Sequence, residues 1–562
     1  MIRIEYQTQR LSLRFFMLML VLFFFQTGFG LLLTAQHIDP TLLAGTFNFN
    51  VARAEHTNLG ILWVLSGFIG AILFVGPLLS KRELAAPGLI RFLFYAVVAV
   101  VLWNVATQVL AEQGIAGWWM GQPLLQEGLE YLEAGRIVDV VILIGFAILC
   151  LVVWRSFPPV SQWNEIHWGL GIGVLALTLV WIFGMFFVDR LDLQEYFRWY
   201  VVHYWVEGVW EVIHISLVGC LLVLMFKADV KSVGFAVFWG ISLVWLSGLL
   251  GNAHHYFWIG TPEFWQFWGS LFSALEPLPL IFCFWHLYLD AHEDGEPLAN
   301  MPAFAFLLGS VVLEQVGAGI LGFTMTFALT NVWSHGTWVT LSHAHLALFG
   351  TFGMLGIATA YYALPLMRGA ADFDQRPGRL AFWLVFTGML GLCFAFAIGG
   401  TVQVFVYRTL GLDWFGGDVA PAMLFAKLMV PAFGLVFTIG VCLLVYDLLT
   451  LGLRSTMPAP DAPTPVPATG WGRRLSGWET GLWLLAMWVF GAIITLGLLS
   501  FNLRTVQEGS MLFPYLMAGI GYPGLLLTTL FFVARFLRSL AARGQTVAAQ
   551  AGGAPVASAG LW

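Results

Sequence analysis

The chain has 562 residues, of which 59% are hydrophobic and only 10% charged, and its formal net charge is −6. A soluble domain carries about 25% charged residues, so this composition excludes a soluble enzyme or binding module. There is no basic patch of the kind that indicates nucleic-acid binding. The apolar residues fall in blocks of about 20 to 30, long enough to cross a bilayer core of about 30 Å. We therefore predict an all-α polytopic membrane protein.

Fourteen apolar blocks predict fourteen transmembrane helices. We expect residues 1–454 to form a twelve-span body, 455–476 a Pro/Ala-rich cytoplasmic linker, 477–540 two additional spans, and 541–562 a disordered tail. The first block, Leu11 to Gln36, is long and lacks a clear cleavage site, so we interpret it as an anchor rather than a signal peptide. The predicted spans begin near residues 11, 56, 88, 134, 164, 194, 231, 264, 302, 339, 379, 421, 478 and 510.

Lysine and arginine in the loops predict the orientation of the chain. With the N-terminus inside, sixteen of these residues fall in inner loops and six in outer loops. Both termini are therefore expected on the cytoplasmic side.

Ionisable groups inside a span cost roughly 2.5–3.5 kcal/mol each on insertion scales, so they persist where they are paired, ligated or facing a cavity. His203 and Glu207 are four residues apart in the sixth span and share one helix face, where they could bind one metal ion. Glu211 lies one turn further along that face. Taken alone, the three could equally form a polar seam satisfied by neighbouring helices.

Two histidine pairs end or open other spans. His254 and His255 close the seventh span, where a fraying helix end lets both turn toward one neighbour. His343 and His345, in the tenth span, point about 200° apart, so they suit two different metals on opposite sides of the helix. Haem irons take axial histidines, which favours a helix held between two haems. The alternative for the first pair is ordinary histidines at the membrane interface, and for the second pair it is hydrogen bonding to neighbouring helices.

His56, at the start of the second span, could supply another axial ligand. In the predicted orientation, all six histidines fall in the outer half of the membrane. Unrelated histidines would not gather at one depth on four helices. Together they provide two ligands for one haem, one for a second haem and three for a non-haem metal.

Five segments carry a resemblance to the haem–copper oxidase superfamily, and more closely to the catalytic subunit of bacterial nitric oxide reductases. The resemblance implies a twelve-helix body, with low-spin haem b on His56 and His345 and high-spin haem b3 on His343. It implies non-haem iron on His203, His254 and His255, with Glu207. The segments are NFNVARAEHTN, WYVVHYWVEGVWE, GNAHHYFWIGTPEFW, SALEPLP and HGTWVTLSHAH.

Glu207 bears on the choice of substrate. In many oxygen-reducing relatives a tyrosine occupies this place and supplies an electron and a proton for O–O cleavage. A carboxylate suits iron better than Cu(I). The chain therefore resembles enzymes that carry out 2NO + 2e⁻ + 2H⁺ → N₂O + H₂O.

The resemblance also implies roles for four further residues. Glu211 and Glu276 match acids near the centre, and for Glu276, in mid-membrane, we expect a role in supporting the ligands or delivering protons. Glu130 matches a position implicated in calcium binding, although an ordinary solvated acid explains it equally well. Arg53, one turn before His56, is expected to pair with a haem propionate.

Other functions stay open on the sequence alone. They are an oxygen-reducing terminal oxidase, an NO-converting variant with another product, a transporter or assembly protein with structural haem, and a non-catalytic haem b conduit. None of the five cysteines lies in a C-x-x-C-H motif for covalent haem c. We therefore expect electrons from a partner subunit carrying haem c or copper, or from quinol, in the inner membrane of a bacterium or archaeon. The helical extension of quinol-fed relatives is not found at the N-terminus, and Ser342 and Ala344 depart from the family's usual Ala-His-Gly-His.

Overall fold

Among the residues that the structure describes, fourteen helices are long and apolar enough to cross a membrane, as the sequence predicts. The computed structural model describes residues 4–115, 124, 125, 127, 133, 135–292, 300–370, 373–411, 420–452 and 470–550. In chain order the spans are α1 Gln7–Gln36, α2 Phe49–Ser80, α3 Pro87–Glu112, α4 Arg136–Ser156, α5 Glu165–Gly184, α6 Leu191–Phe226, α7 Val230–Tyr256, α8 Glu263–Leu289, α9 Met301–Met325, α10 Trp338–Arg368, α11 Arg376–Thr409, α12 Pro421–Thr450, α13 Gly477–Ser500 and α14 Leu512–Ala541.

Side-chain caps fix where many of these helices begin. At six starts a polar side chain accepts a hydrogen bond from a backbone N–H in the first turn, which satisfies a donor that the helix itself leaves unpaired. The caps therefore set the starts of these helices at particular residues. The six caps are Asn48, Asn164, Asp229, Asn300, Thr337 and Ser476.

The start of α2 differs from the prediction. The sequence predicts a start near residue 56, whereas the helix begins at Phe49. The Asn48 side chain accepts a hydrogen bond from Val51 N–H at 3.0 Å and starts the helix early. The polar residues before His56 are therefore helical rather than part of a loop, and His56 lies two turns inside the span.

Four spans form the centre of the bundle. In the most apolar window of α2, α6, α9 and α10, between 78% and 94% of the residues are buried, against 33% in α1, α4, α12 and α13. Four of the six predicted histidine ligands, His56, His203, His343 and His345, lie on α2, α6 and α10. The most buried helices therefore carry most of the predicted histidine ligands, which keeps these polar side chains away from lipid.

The two C-terminal spans pack against the body. Phe532 of α14 stacks on Phe284 of α8 at 5.2 Å between ring centroids, and Trp488 of α13 meets Phe323 of α9 at 5.6 Å. The Asn502 side-chain amide donates to the Leu329 carbonyl at 2.9 Å. These contacts attach the predicted additional pair to the twelve-span body.

Two of the predicted segments lie partly outside the described residues. Most of the predicted linker, 455–476, lies outside them, as does the tail beyond 550. The last helix continues to Gln550, ten residues into the segment 541–562 that was predicted to be disordered. This short stretch is rich in alanine and glutamine, which favour helix.

We predict that the C-terminal pair stays bound after the chain is cut. A protease site placed within 455–469 should be cleaved without separating α13 and α14 from the body, because aromatic contacts and the Asn502 hydrogen bond hold them. Affinity purification through an N-terminal tag in mild detergent measures this. Release of the fragment from the cleaved wild-type protein would contradict it, and a Phe284→Ala/Phe323→Ala variant should retain less fragment.

Candidate functional site

Four side chains gather where α6, α7 and α8 meet. One ligand atom from each of His203, Glu207, His254 and His255 lies within 4.8 Å of the others. The ring centroids of His203 are 4.9 Å from His254 and 5.1 Å from His255. Nitrogen and carboxylate donors at such spacing form a cluster that could hold a metal ion.

Local departures from regular helix bring these groups together. Trp205–Trp210, which contains Glu207, is π-helical, a form that frequently occurs at functional sites. The segment Asn252–Tyr256 ends α7 as a 3₁₀ turn, and there both adjacent histidines turn toward α6. The fraying predicted for this helix end is thus a tighter turn with a defined geometry.

Hydrogen bonds fix which nitrogen two of the cluster histidines offer. His203 donates from Nε2 to the Gly248 carbonyl at 2.9 Å, which leaves Nδ1 facing Glu207 Oε2 at 3.2 Å. The Ser273 hydroxyl gives its single proton to the Gly251 carbonyl, so it must accept from His254 Nδ1–H at 2.5 Å. The free nitrogen of His254 is therefore Nε2.

The third histidine of the cluster is held by stacking. The His255 ring lies parallel to Trp199, with 4.4 Å between centroids and 7° between planes. Its Nε2 is buried without a hydrogen-bond partner among the described residues. Such a group costs free energy unless something binds it.

His56 and His345 face each other across a gap. Their rings are 6.1 Å apart between centroids and inclined by 29°. His56 donates from Nδ1 to the Gln26 carbonyl at 3.0 Å, and His345 from Nδ1 to the Leu341 carbonyl at 2.9 Å. The Gln26 amide nitrogen also lies 3.2 Å from His56 Nε2. Both histidines thus keep Nε2 as their lone-pair nitrogen.

His343 points away from that pair, as its spacing from His345 predicts. It donates from Nδ1 to the Gly317 carbonyl of α9 at 2.8 Å. Gly317 lies in the π-helical segment Glu314–Leu321. A backbone carbonyl that accepts from Nδ1 orients the ring and leaves Nε2 free, the usual support of a metal-ligating histidine.

One cavity of about 920 Å³ connects these groups. It lies near the upper end of the range of about 300–1,000 Å³ for cofactor sites. Arg53, Glu211 and Glu276 also line it. The structure therefore brings together every predicted site residue that it describes, whereas Glu130 lies outside the described residues. The six predicted ligand histidines along the wall are His56, His203, His254, His255, His343 and His345.

Glu276 lies at a break in the middle of α8. Helix ends at Ser273 and resumes at Pro277, because proline has no N–H and disfavours helix in the residue before it. Irregular backbone at membrane depth is tolerated where it lines a cavity. Glu276 Oε1 lies 4.0 Å from His203 Nε2, and a Cβ on Gly251 would approach that oxygen to 2.5 Å.

His335 lies in the segment between α9 and α10 and lines the cavity. The His335 ring stacks on Trp258 at 4.9 Å between centroids. Burial, together with the nearby Arg408 guanidinium, lowers the pKa of His335. Even an unperturbed histidine is mostly deprotonated at neutral pH. With its lowered pKa, His335 is therefore neutral there.

The residues present fit haem and a metal ion. Buried nitrogen lone pairs face the cavity, and the His203–Glu207 cluster offers three nitrogens and a carboxylate. A Cβ on Gly30 would approach His56 Cε1 to 2.8 Å, so glycine there makes room for the ring. These features form a cradle with ligand atoms already oriented.

Sequence reasoning missed the groups that hold the ligands. Gln26, Gly248, Ser273 and Gly317 act through backbone or hydroxyl oxygens, which residue type alone does not reveal. It also missed His214 and Glu314, a buried pair joining α6 and α9. Each is an ionisable residue within an apolar span, and that position was the only available signal.

Fold and site together define a haem–copper oxidase type of membrane oxidoreductase. The family described as cytochrome c and quinol oxidase polypeptide I matches residues 10–420. The chain belongs to this family, which implies haem and a metal centre.

Individual proteins give a finer comparison. The chain is 30% identical over 411 residues to one subunit of the nitric oxide reductase of Stutzerimonas stutzeri, covering 72% of this chain and 86% of that protein. It therefore resembles a nitric-oxide-reductase catalytic subunit. The cryo-EM structure of a haem–copper terminal oxidase dimer matches with a TM-score of 0.64 at 14% identity, covering 96% of this chain and 99% of the other. At that identity the likeness shows the fold alone.

We predict that Gly30→Ala disturbs the His56–His345 pair. The new methyl group would push His56 aside, so the purified protein should lose part of its haem absorbance or show it shifted. Gly28→Ala is the matched control, because a Cβ there meets nothing within 4 Å. Identical visible spectra for the two variants would contradict the role of His56.

Proposed function

We propose that the protein reduces nitric oxide to nitrous oxide, 2NO + 2e⁻ + 2H⁺ → N₂O + H₂O. The observation that carries this proposal is Glu207, whose carboxylate lies 3.2 Å from His203 Nδ1 within the histidine cluster. A carboxylate beside three imidazoles favours iron over Cu(I), which prefers soft ligands. The identity to the nitric oxide reductase subunit of Stutzerimonas stutzeri supports the same reaction.

The family resemblance and the lone-pair nitrogens of the histidines support the following ligand assignment. His56 and His345 would hold a low-spin haem b, and His343 a high-spin haem b3. The cluster of His203, His254, His255 and Glu207 would hold a non-haem iron. When bound, haem b would pass electrons to the haem b3–iron pair, where two NO molecules are reduced and coupled.

The protein's own residues would orient the ligands and handle protons. The carbonyls of Gln26, Leu341 and Gly317 hold three imidazole rings with Nε2 toward the cavity. Glu211 and Glu276 line the same cavity, so either could hold a proton consumed in the reaction. Positioned carboxyl groups commonly perform such transfers.

The outer parts of the site complete the proposal. Arg53 lines the cavity near His56 and would pair with a haem propionate. A calcium ion bound through Glu130 stays a proposal, since that residue lies outside the described part of the chain. The lysine and arginine distribution supports cytoplasmic termini in a bacterial or archaeal inner membrane.

Electrons would come from a partner. The relative from Stutzerimonas stutzeri is one subunit of its enzyme, which supports a companion subunit carrying haem c or copper. Quinol is the alternative donor, and membrane lipid surrounds the bundle in either case.

Gas analysis tests the proposed reaction. Purified protein given an artificial electron donor and isotopically labelled NO without oxygen should release labelled N₂O, with two NO consumed for each N₂O. Mass spectrometry of the headspace measures both gases. Oxygen consumption without NO consumption, or NO loss without N₂O, would overturn the proposal.

We predict that Glu276→Gln lowers NO turnover by about a hundredfold, the lower end of the contribution of a positioned acid or base. Haem content and visible spectra should stay normal, because Glu276 is not assigned as a ligand. Glu263→Gln, at the exposed start of α8, is the control. Wild-type turnover in the Glu276 variant would rule out its role in proton delivery.

A further inference from the structure

A second buried ionisable pair lies beyond the metal cluster. His214 of α6 and Glu314 of α9 are both fully buried, with 3.0 Å between His214 Nδ1 and Glu314 Oε1. Glu314 is the only ionisable residue in Met301–Met325. It also begins the π-helical segment Glu314–Leu321. None of the roles proposed above uses this pair.

Hydrogen bonds define the protonation of His214. The Ser310 hydroxyl donates to the Thr351 carbonyl at 2.6 Å. Its oxygen must therefore accept from His214 Nε2–H at 2.8 Å. Nε2 is thus protonated, and one further proton between Nδ1 and Oε1 makes the pair neutral overall. A net charge on the pair would be expensive at this depth.

The pair is connected to the centre through Glu211. His214 follows Glu211 by three residues in the regular α-helical part of α6, Glu211–Phe226, so the two share one helix face, and Glu207 lies four residues before Glu211. Glu211 and Glu276 both line the cavity that contains the cluster. Glu211 is therefore the carboxyl group that lies between the pair and the cluster.

The pair lies further along α6 than the cluster does. His214 is twelve residues from the end of α6 at Phe226, and Glu314 is thirteen from the start of α9 at Met301. At 1.5 Å per residue, both are about 18–20 Å from those ends. The two helices thus agree on one depth, further from the outer end of α6 than the cluster is.

We propose that His214 and Glu314 form a proton-holding site that takes up one proton when the neighbouring centre is reduced and returns it through Glu211. The neutral pair gains H⁺ and becomes a cation, which offsets the electron added nearby. On turnover, that proton is one of the two consumed for each N₂O. The identification of the centre as a redox site rests on the proposed function.

Proton uptake on reduction tests the pair without any substrate. The purified complex is reduced electrochemically through hexaammineruthenium, which carries electrons but no protons, in weak buffer with a pH dye. Wild-type protein should take up one more proton per chain than His214→Gln, in which the amide cannot titrate and the remaining Glu314 carboxyl already holds its proton. Glu314→Gln should keep the uptake, because its amide stands in for the protonated carboxyl and His214 can still accept a proton at Nδ1.

Controls separate this role from a structural one. Ser216→Ala changes a buried residue two positions after His214, whose hydroxyl bonds to its own helix at the Val212 carbonyl, and should behave as wild type. Equal uptake by His214→Gln and wild type, with unchanged haem spectra, would overturn the proposal. Since neither NO nor O₂ is present, failure of NO reduction would leave this result unaffected.

Discussion

The cost of placing ionisable side chains inside a bilayer is the constraint on which this structure depends. Each such group must be ligated, hydrogen-bonded or turned into a cavity. The chain meets this requirement by gathering the six predicted ligand histidines and the three glutamates beside them around one cavity. The helices that carry most of them are the most buried of the fourteen, so the composition of the core and the position of the site have a common cause.

Departures from regular helix are the means by which these groups are oriented. Three π-helical segments run past the cavity or beside it: Trp205–Trp210, Glu314–Leu321 and Leu346–Gly353. They contain Glu207, the Gly317 carbonyl that holds His343, and the Thr351 carbonyl that fixes Ser310 and through it His214. The break before Pro277 serves Glu276 in a similar way. Backbone irregularity and chemistry therefore occur at the same places.

Much of the fold and the ligand set can be predicted from sequence, because apolar blocks mark spans and histidines within them stand out. The divergence of His343 and His345 follows from helix geometry alone. The prediction for His56 was wrong in detail, since the helix begins two turns earlier at a cap, Asn48, that composition does not mark as a boundary. His214 and Glu314 were missed because their pairing depends on which spans pack together, and a single sequence contains no direct record of that. The supporting carbonyls were missed because every residue has one.

The proposed reaction depends most on the identity of the metal held by His203, Glu207, His254 and His255. Metal analysis of the purified complex, combined with a haem count and corrected for any haem on a partner subunit, tests it directly. Three iron atoms for every two haems in this chain, with copper absent, is the predicted result. Two iron atoms and one copper atom would contradict it and would favour oxygen reduction as the reaction.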